Sequence, residues 1–134
     1  HVAFNRLAAD AGYDMDMIDR RTAELLDLAK GKPAIAKLGV TMALEHYTAM
    51  MAHEFLANPQ HFANSDAEVR KMWEWHAVEE IEHKGVAYDT WNHATREWSD
   101  FKRWMRRTII MMIVTKRFLN NRWKDATELL APFR

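Results

Sequence analysis

Apolar residues recur along this chain at spacings of three and four, and no stretch alternates in the manner of a β-strand. The spacing predicts helices throughout. Residues 2–12 read as a helix broken at Gly12. Met15–Lys30 reads as a second, with Ile18, Leu25, Leu26 and Ala29 on its apolar side and Gly31 as its stop. Pro33 suits the opening of a third helix, which should run to about Ala57 because Asn58-Pro59 ends it. Ser65-Asp-Ala-Glu68 has capping-box spacing, so a long fourth helix is expected from about Asp66 to Ala94. A fifth is expected over 96–120 and a short sixth over 122–130. The pattern implies an all-α antiparallel helical bundle of about five to six helices, a single domain over 1–134. Residues 1–95 form its bundle region, and 96–134 are basic, Trp-rich C-terminal helices. The short 58–65 connection makes helices 33–57 and 66–94 antiparallel neighbours.

Two of these helices carry polar groups where apolar ones are expected. In 33–57, Leu38, Met42, Glu45, Ala49, Ala52 and Leu56 form one stripe that only Glu45 interrupts. His46 lies about 100° around, on a line with Met42, Met50 and His53. In "WHAVEEIEHKGVAYD" (75–89), His76, Glu80 and His83 fall within roughly 60° of one another on a line that runs from Val69 and Met72 to Ala87. Buried charge is costly unless it is paired or binds a metal. A Glu from one helix and Glu-x-x-His from another is the arrangement of di-iron and di-manganese bundle proteins. Carboxylates bridge and neutralise the cations, and imidazoles complete the coordination while leaving open positions. Here Glu80-Ile-Glu-His83 supplies the Glu-x-x-His, and His76 adds a second imidazole one turn earlier. On residues alone two readings stay open. Glu45, His76, Glu80 and His83 hold a metal, with His46 or His53 as supplements; or the histidines are ordinary hydrogen-bonded core residues beside a solvated acidic face of Glu79, Glu80 and Glu82.

Composition narrows the classes. The chain has no net charge, but residues 1–95 hold nine Lys/Arg against fifteen Asp/Glu, and residues 96–124 hold nine against two. That asymmetry fits a basic helix complementing an acidic body, or a surface for anionic partners and lipid headgroups. The absence of cysteine rules out disulfides and thiolate metal sites and fits a reducing cytoplasm. The longest apolar run, Ile109–Val114, is too short to span a bilayer and looks destined for burial. For that reason nucleic acid is not expected as a partner, although 96–124 has the basic and aromatic composition for it. No phosphate loop, dinucleotide fingerprint or serine-nucleophile motif is present. The six tryptophans read as packing and interface residues, and His61 and His93 as surface histidines. The abrupt opening on His1 reads like a fragment.

"TMALEHYTAMMAHEFL" followed by "WEWHAVEEIEHKGVAYD" resembles the family of predicted metal-dependent hydrolases, which has a ferritin-like helical bundle. The opening "HVAFNRLAADAGYD" is similar to that family's segment just after its first Glu-x-x-His helix. The His-x-x-x-Glu-x-x-His pattern is also similar to that of di-iron arylamine N-oxygenases. The resemblance implies a metal-dependent enzyme acting on a small-molecule substrate, a hydrolase or a di-iron oxygenase-type oxidoreductase. Iron or manganese lead as cofactor, and zinc also suits the donors. By position, Glu45, His76, Glu80 and His83 would be ligands. Glu79 would be a nearby carboxylate able to act as general base, and His1 falls one turn beyond an earlier metal-binding histidine. The family's upstream helices supply further ligands and this chain starts after them, so the bundle is expected to be incomplete. A homo-oligomer would cover the open seam. Two other classes remain alongside: a non-catalytic oligomerisation module, and peripheral membrane association through 96–120.

Overall fold

The computed structural model describes residues 2–131, apart from the side chains of Ala3, Phe4 and Leu28. His1, singled out above, lies outside the described residues. The helices are α1 (Val2–Asp10), α2 (Met15–Ala29), α3 (Ala34–Ala57), α4 (Ala67–Ala94) and α5 (Asp100–Leu130), with a 3-10 turn at Pro59–Phe62. Helix makes up 86% of the described residues and no strand occurs among them, so the fold is an all-α helical bundle.

Local chemistry sets the boundaries. Gly12 and Gly31 end α1 and α2 with φ of 93° and 72°, the left-handed region that glycine enters without a Cβ clash. Asn58 closes α3 and Pro59 opens the 3-10 turn. At the start of α4 the cap is Asp66, whose carboxylate accepts from Glu68 N at 2.9 Å and Val69 N at 3.4 Å, and not Ser65 as the capping-box spacing suggested. The C-terminal region also departs from expectation. Residues 95–99 form a turn, Ser99 Oγ accepts from Lys102 N, and one unbroken helix replaces the expected pair at 96–120 and 122–130. The Asn120-Asn121 pair does not stop it, because an interior asparagine costs less than about 0.7 kcal/mol relative to alanine.

The chain forms two compact units, residues 1–32 with 116–134, and residues 33–115. In the first, Asp125 is buried and paired to both Arg21 and Arg122, and Arg21 also reaches Glu128 at 2.7 Å. Hydrogen bonds to Glu128 and then Asp125 hold the Arg21 pKa above its ordinary value. Leu25 and Leu26, expected on the apolar side of α2, are exposed.

The second unit is organised by α3 against α4. Early α3 meets late α4 (Gly39 beneath Trp91), the middles meet at Glu45 and His83, and late α3 meets early α4 (Phe55 and Trp73 around one cleft). That register is antiparallel, as the short connection requires. Met42, Ala87 and the fully buried Trp91 form the core, flanked by Ile35, Leu38, Trp98 and Ile110. Trp91 meets Trp98 edge-on at 6.1 Å, and Thr95, wholly buried, donates back to Trp91 O at 2.8 Å. Tyr47 and Thr115 hydroxyls bond at 2.5 Å, and Arg107 donates to Tyr88 Oη at 3.0 Å. A hydrogen bond with Asn92, aided by Arg107, holds the Tyr88 phenol below its ordinary pKa.

Two stripe assignments need correction. The α3 stripe lies inward as expected. On α4 the buried line runs through Ala77, Ala87 and Trp91, while Val69 and Met72 are exposed. The indole of Trp91 and the small alanines set the rotation of α4, which carries the 69–72 line to the edge of the contact. In α5 the Ile109–Val114 run is only half covered: Val114 is buried, whereas Ile109, Met112 and Ile113 face outward.

Gly39 is where α3 admits Trp91. A Cβ there would lie 2.5 Å from Ile110 Cδ1 and 2.8 Å from Trp91 Cζ3, and the indole cannot yield as a flexible chain end could. Overpacking of this kind costs about 1–3 kcal/mol, against a gain of about 1 kcal/mol in helix propensity. Gly39→Ala should therefore lower stability in urea unfolding. Gly85→Ala, where a Cβ meets nothing within 4 Å, should raise it by up to about 1 kcal/mol.

Candidate metal centre

Glu45 stands at mid-α3 between the buried Met42 and Ala49, and Glu80 at mid-α4 between the buried Ala77 and Ala87. Antiparallel packing aims both at the same level of the seam. His83, one turn after Glu80, reaches that level from the edge. Each of Glu45, Glu80 and His83 offers a ligand atom within 4.8 Å of the others. His83 Nδ1 lies 4.0 Å from Glu45 Oε2. Side-chain exposure grades from 19% at Glu80 and 24% at Glu45 to 54% at His83, so the group opens to solvent on the imidazole side.

The surrounding hydrogen bonds orient the carboxylates. Thr48 Oγ1 donates to Glu45 O at 3.2 Å and lies 3.4 Å from Glu45 Oε2. His76 Nε2 is 3.4 Å from Glu80 Oε1, and its ring meets Trp73 edge-on at 5.7 Å. The structure thus brings three of the four expected ligands together and attaches the fourth, His76, to one of them. Glu79 is half-buried and contributes no atom to the group. His46 is half-buried with its ring edge-on to Tyr47, and His53 is exposed; neither joins the cluster. His61 pairs with Glu54 at 3.3 Å and His93 lies beside Arg96, both on the surface.

The donors fit a divalent cation. Two carboxylates a few ångströms apart repel each other and present two negative charges, which a divalent ion balances. Neutral imidazole completes a hard-to-borderline oxygen and nitrogen set without thiolate.

Beside the cluster is a feature that periodicity did not disclose. A cleft of about 130 Å³ runs between α3 and α4, floored by Ala52 and Ala77 and walled by Met51, Phe55 and Trp73. Thr48, His76 and Glu80 complete a lining that is almost wholly apolar. The signal was present as two alanines facing each other across the seam with bulky residues around them. It becomes readable only once the register of the two helices is known.

These features define a helical-bundle protein with a carboxylate–histidine group suited to a divalent metal. Residues 1–132 match the family described as predicted metal-dependent hydrolase, and the chain belongs to that family. Comparison with curated proteins and with solved structures gives no significant match. Among the described residues, no helix is long and apolar enough to cross a membrane.

A cation that binds only the folded chain stabilises it, by about 2.7 kcal/mol at one hundred times its dissociation constant. Adding manganese or zinc to chelator-treated protein should raise the melting temperature by several degrees. The rise should vanish in Glu80→Ala, as calorimetry would register.

Proposed function

We propose that this chain is a metal-dependent hydrolase of the ferritin-like class, with Glu45, Glu80 and His83 holding a divalent ion and His76 completing the set. The observation that carries the reading is the convergence of two carboxylates and an imidazole from consecutive antiparallel helices, in a chain whose family is described as metal-dependent. Iron or manganese suits this oxygen-rich set, and zinc is accommodated by the same donors. Two ions, as in di-metal carboxylate bundles, would need further ligands beyond these four.

When bound, a divalent ion supplies Lewis acidity, which polarises a carbonyl or phosphoryl oxygen and makes water acidic near neutral pH. The protein's own residues do the rest. Glu45 and Glu80, half-buried in the seam, would hold the ion. Thr48 orients Glu45, and His76 stands beside Glu80 as the fourth donor. Glu79, half-buried and next to Glu80 in the chain, would serve as the general base for the attacking water. The exposed imidazole side leaves a path for water and substrate.

A second reading, oligomerisation, rests on a separate observation. Val40 and Leu44 on α3 and Trp75, Val78 and Val86 on α4 are all exposed, more apolar surface than two helices ordinarily leave in water. A homodimer covering these faces is compatible with catalysis, and light scattering at micromolar concentration would reveal it; a strict monomer would sink it.

The catalytic reading is tested by element analysis of untagged protein together with hydrolysis of chromogenic ester and phosphoester substrates. Wild type should carry stoichiometric metal, and His83→Ala and Glu80→Ala should lose it. Glu79→Gln should keep the metal yet lose about 10²- to 10⁴-fold in kcat, the usual worth of a general base. Full metal content in both His83→Ala and Glu80→Ala would place the ligands elsewhere.

A further inference from the structure

We infer that the cleft beside the cluster receives the uncharged, apolar end of the substrate, a single ring or a branched alkyl group of the same bulk, with the scissile bond held at its Thr48–Glu80 end. The inference rests on the metal-centre reading above and adds to it the class of molecule acted on.

Size is the first argument. The cleft offers about 130 Å³, and an engineered apolar cavity of about 150 Å³ takes up benzene. A six-membered ring matches that volume, whereas a fused bicycle or an extended chain exceeds it and would protrude into solvent.

Chemistry is the second. The Met51 thioether, the Phe55 and Trp73 rings and the Ala52 and Ala77 methyls make walls that favour dispersion and apolar contact. No Lys or Arg lines the cleft, its one basic side chain, His76, lies against Glu80 Oε1 at 3.4 Å, and Glu80 itself repels an anionic tail. A few convergent polar groups beside an apolar recess are the usual form of a small-molecule site, the polar groups fixing orientation and the recess supplying affinity.

Position is the third. By the antiparallel register, Phe55 and Trp73 border the end of the cleft far from the cluster, and Thr48 and Glu80 border the near end. Thr48 itself lies 3.4 Å from Glu45 Oε2. A group seated against Phe55 and Trp73 would therefore direct its polar attachment towards the two carboxylates. Holding the reacting bond in place through a remote, unreactive part of the substrate is a principal source of rate enhancement.

The experiment uses the full chain, labelled with carbon-13 at its methionine methyls, in chelator-treated and zinc-loaded form, with metal content measured on the same samples. Benzamide, benzoate and 2-naphthamide are the probes. In the metal-free protein benzamide should shift the Met51 methyl resonance saturably. Benzoate should bind at least about tenfold more weakly, and 2-naphthamide should leave the resonance unmoved. Met51→Trp, a change at a half-exposed position, should fill the cleft and abolish benzamide protection of Trp73 from oxidation while metal content stays at the wild-type level. Phe55→Ala should enlarge the cleft and admit 2-naphthamide. Benzamide binding with no metal in any sample would overturn the metal reading and leave the cleft assignment standing. A Met51 methyl that ignores benzamide in metal-loaded protein, or that responds equally to all three probes, would overturn the inference itself.

Discussion

The close approach of α3 to α4 is the constraint from which the rest of residues 33–115 follows. Ala43, Ala49 and Ala52 on one helix and Ala77 and Ala87 on the other are buried along the seam, and Gly39 leaves room for the Trp91 indole at one end. Small side chains let two helices lie near the lower limit of interaxial distance. Glu45 and Glu80 sit in this seam with ligand atoms within 4.8 Å of each other, and bulkier seam residues would hold the carboxylates apart. The alanines therefore set the spacing of the candidate ligands as directly as the ligands themselves do.

That seam has three segments of different character. The Trp91 end is dry and tightly packed, and the indole Nε1 finds no acceptor among the described residues. The middle is charged. The far end, between Phe55 and Trp73, is open and apolar. A well-packed end next to a polar middle keeps the carboxylates half-buried, where a cation is attracted more strongly than in bulk water. The open end gives a bound molecule somewhere to lie. Packing, electrostatics and access are thus divided along the length of a single helix pair.

Much of this was legible in the sequence, for physical reasons that can be named. The α3 stripe was readable because Glu45 interrupts an otherwise unbroken line from Leu38 to Leu56. The α3–α4 pairing was readable because so short a connection cannot separate two long helices. The rotation of α4 was not, because Val69, Met72, Val78, Ile81 and Val86 give that helix apolar residues on several sides, and the deciding contact is Trp91 over Gly39, a pairing across 52 positions. The continuity of α5 was not legible because its support past residue 120 comes from the Arg122–Asp125 pair and from the Arg21 bridge, whose partners lie 104 positions apart. The cleft escaped because an alanine in a stripe reads the same whether its neighbour fills the space beside it or leaves it empty.

Because Glu45, Glu80 and His83 all belong to one helical hairpin, the order of events in folding follows from their placement. Chains whose contacts lie nearer in sequence fold faster than those dominated by distant pairings. The three side chains can meet as soon as α3 and α4 close on each other, with no need for the C-terminal helix to have formed. A cation captured at that stage would hold the hairpin closed while the remaining chain condenses, since metal binding to such a site is drawn from the same free energy as folding. Metal supply during synthesis, and not only in the finished protein, would then govern how much of the chain reaches its folded state.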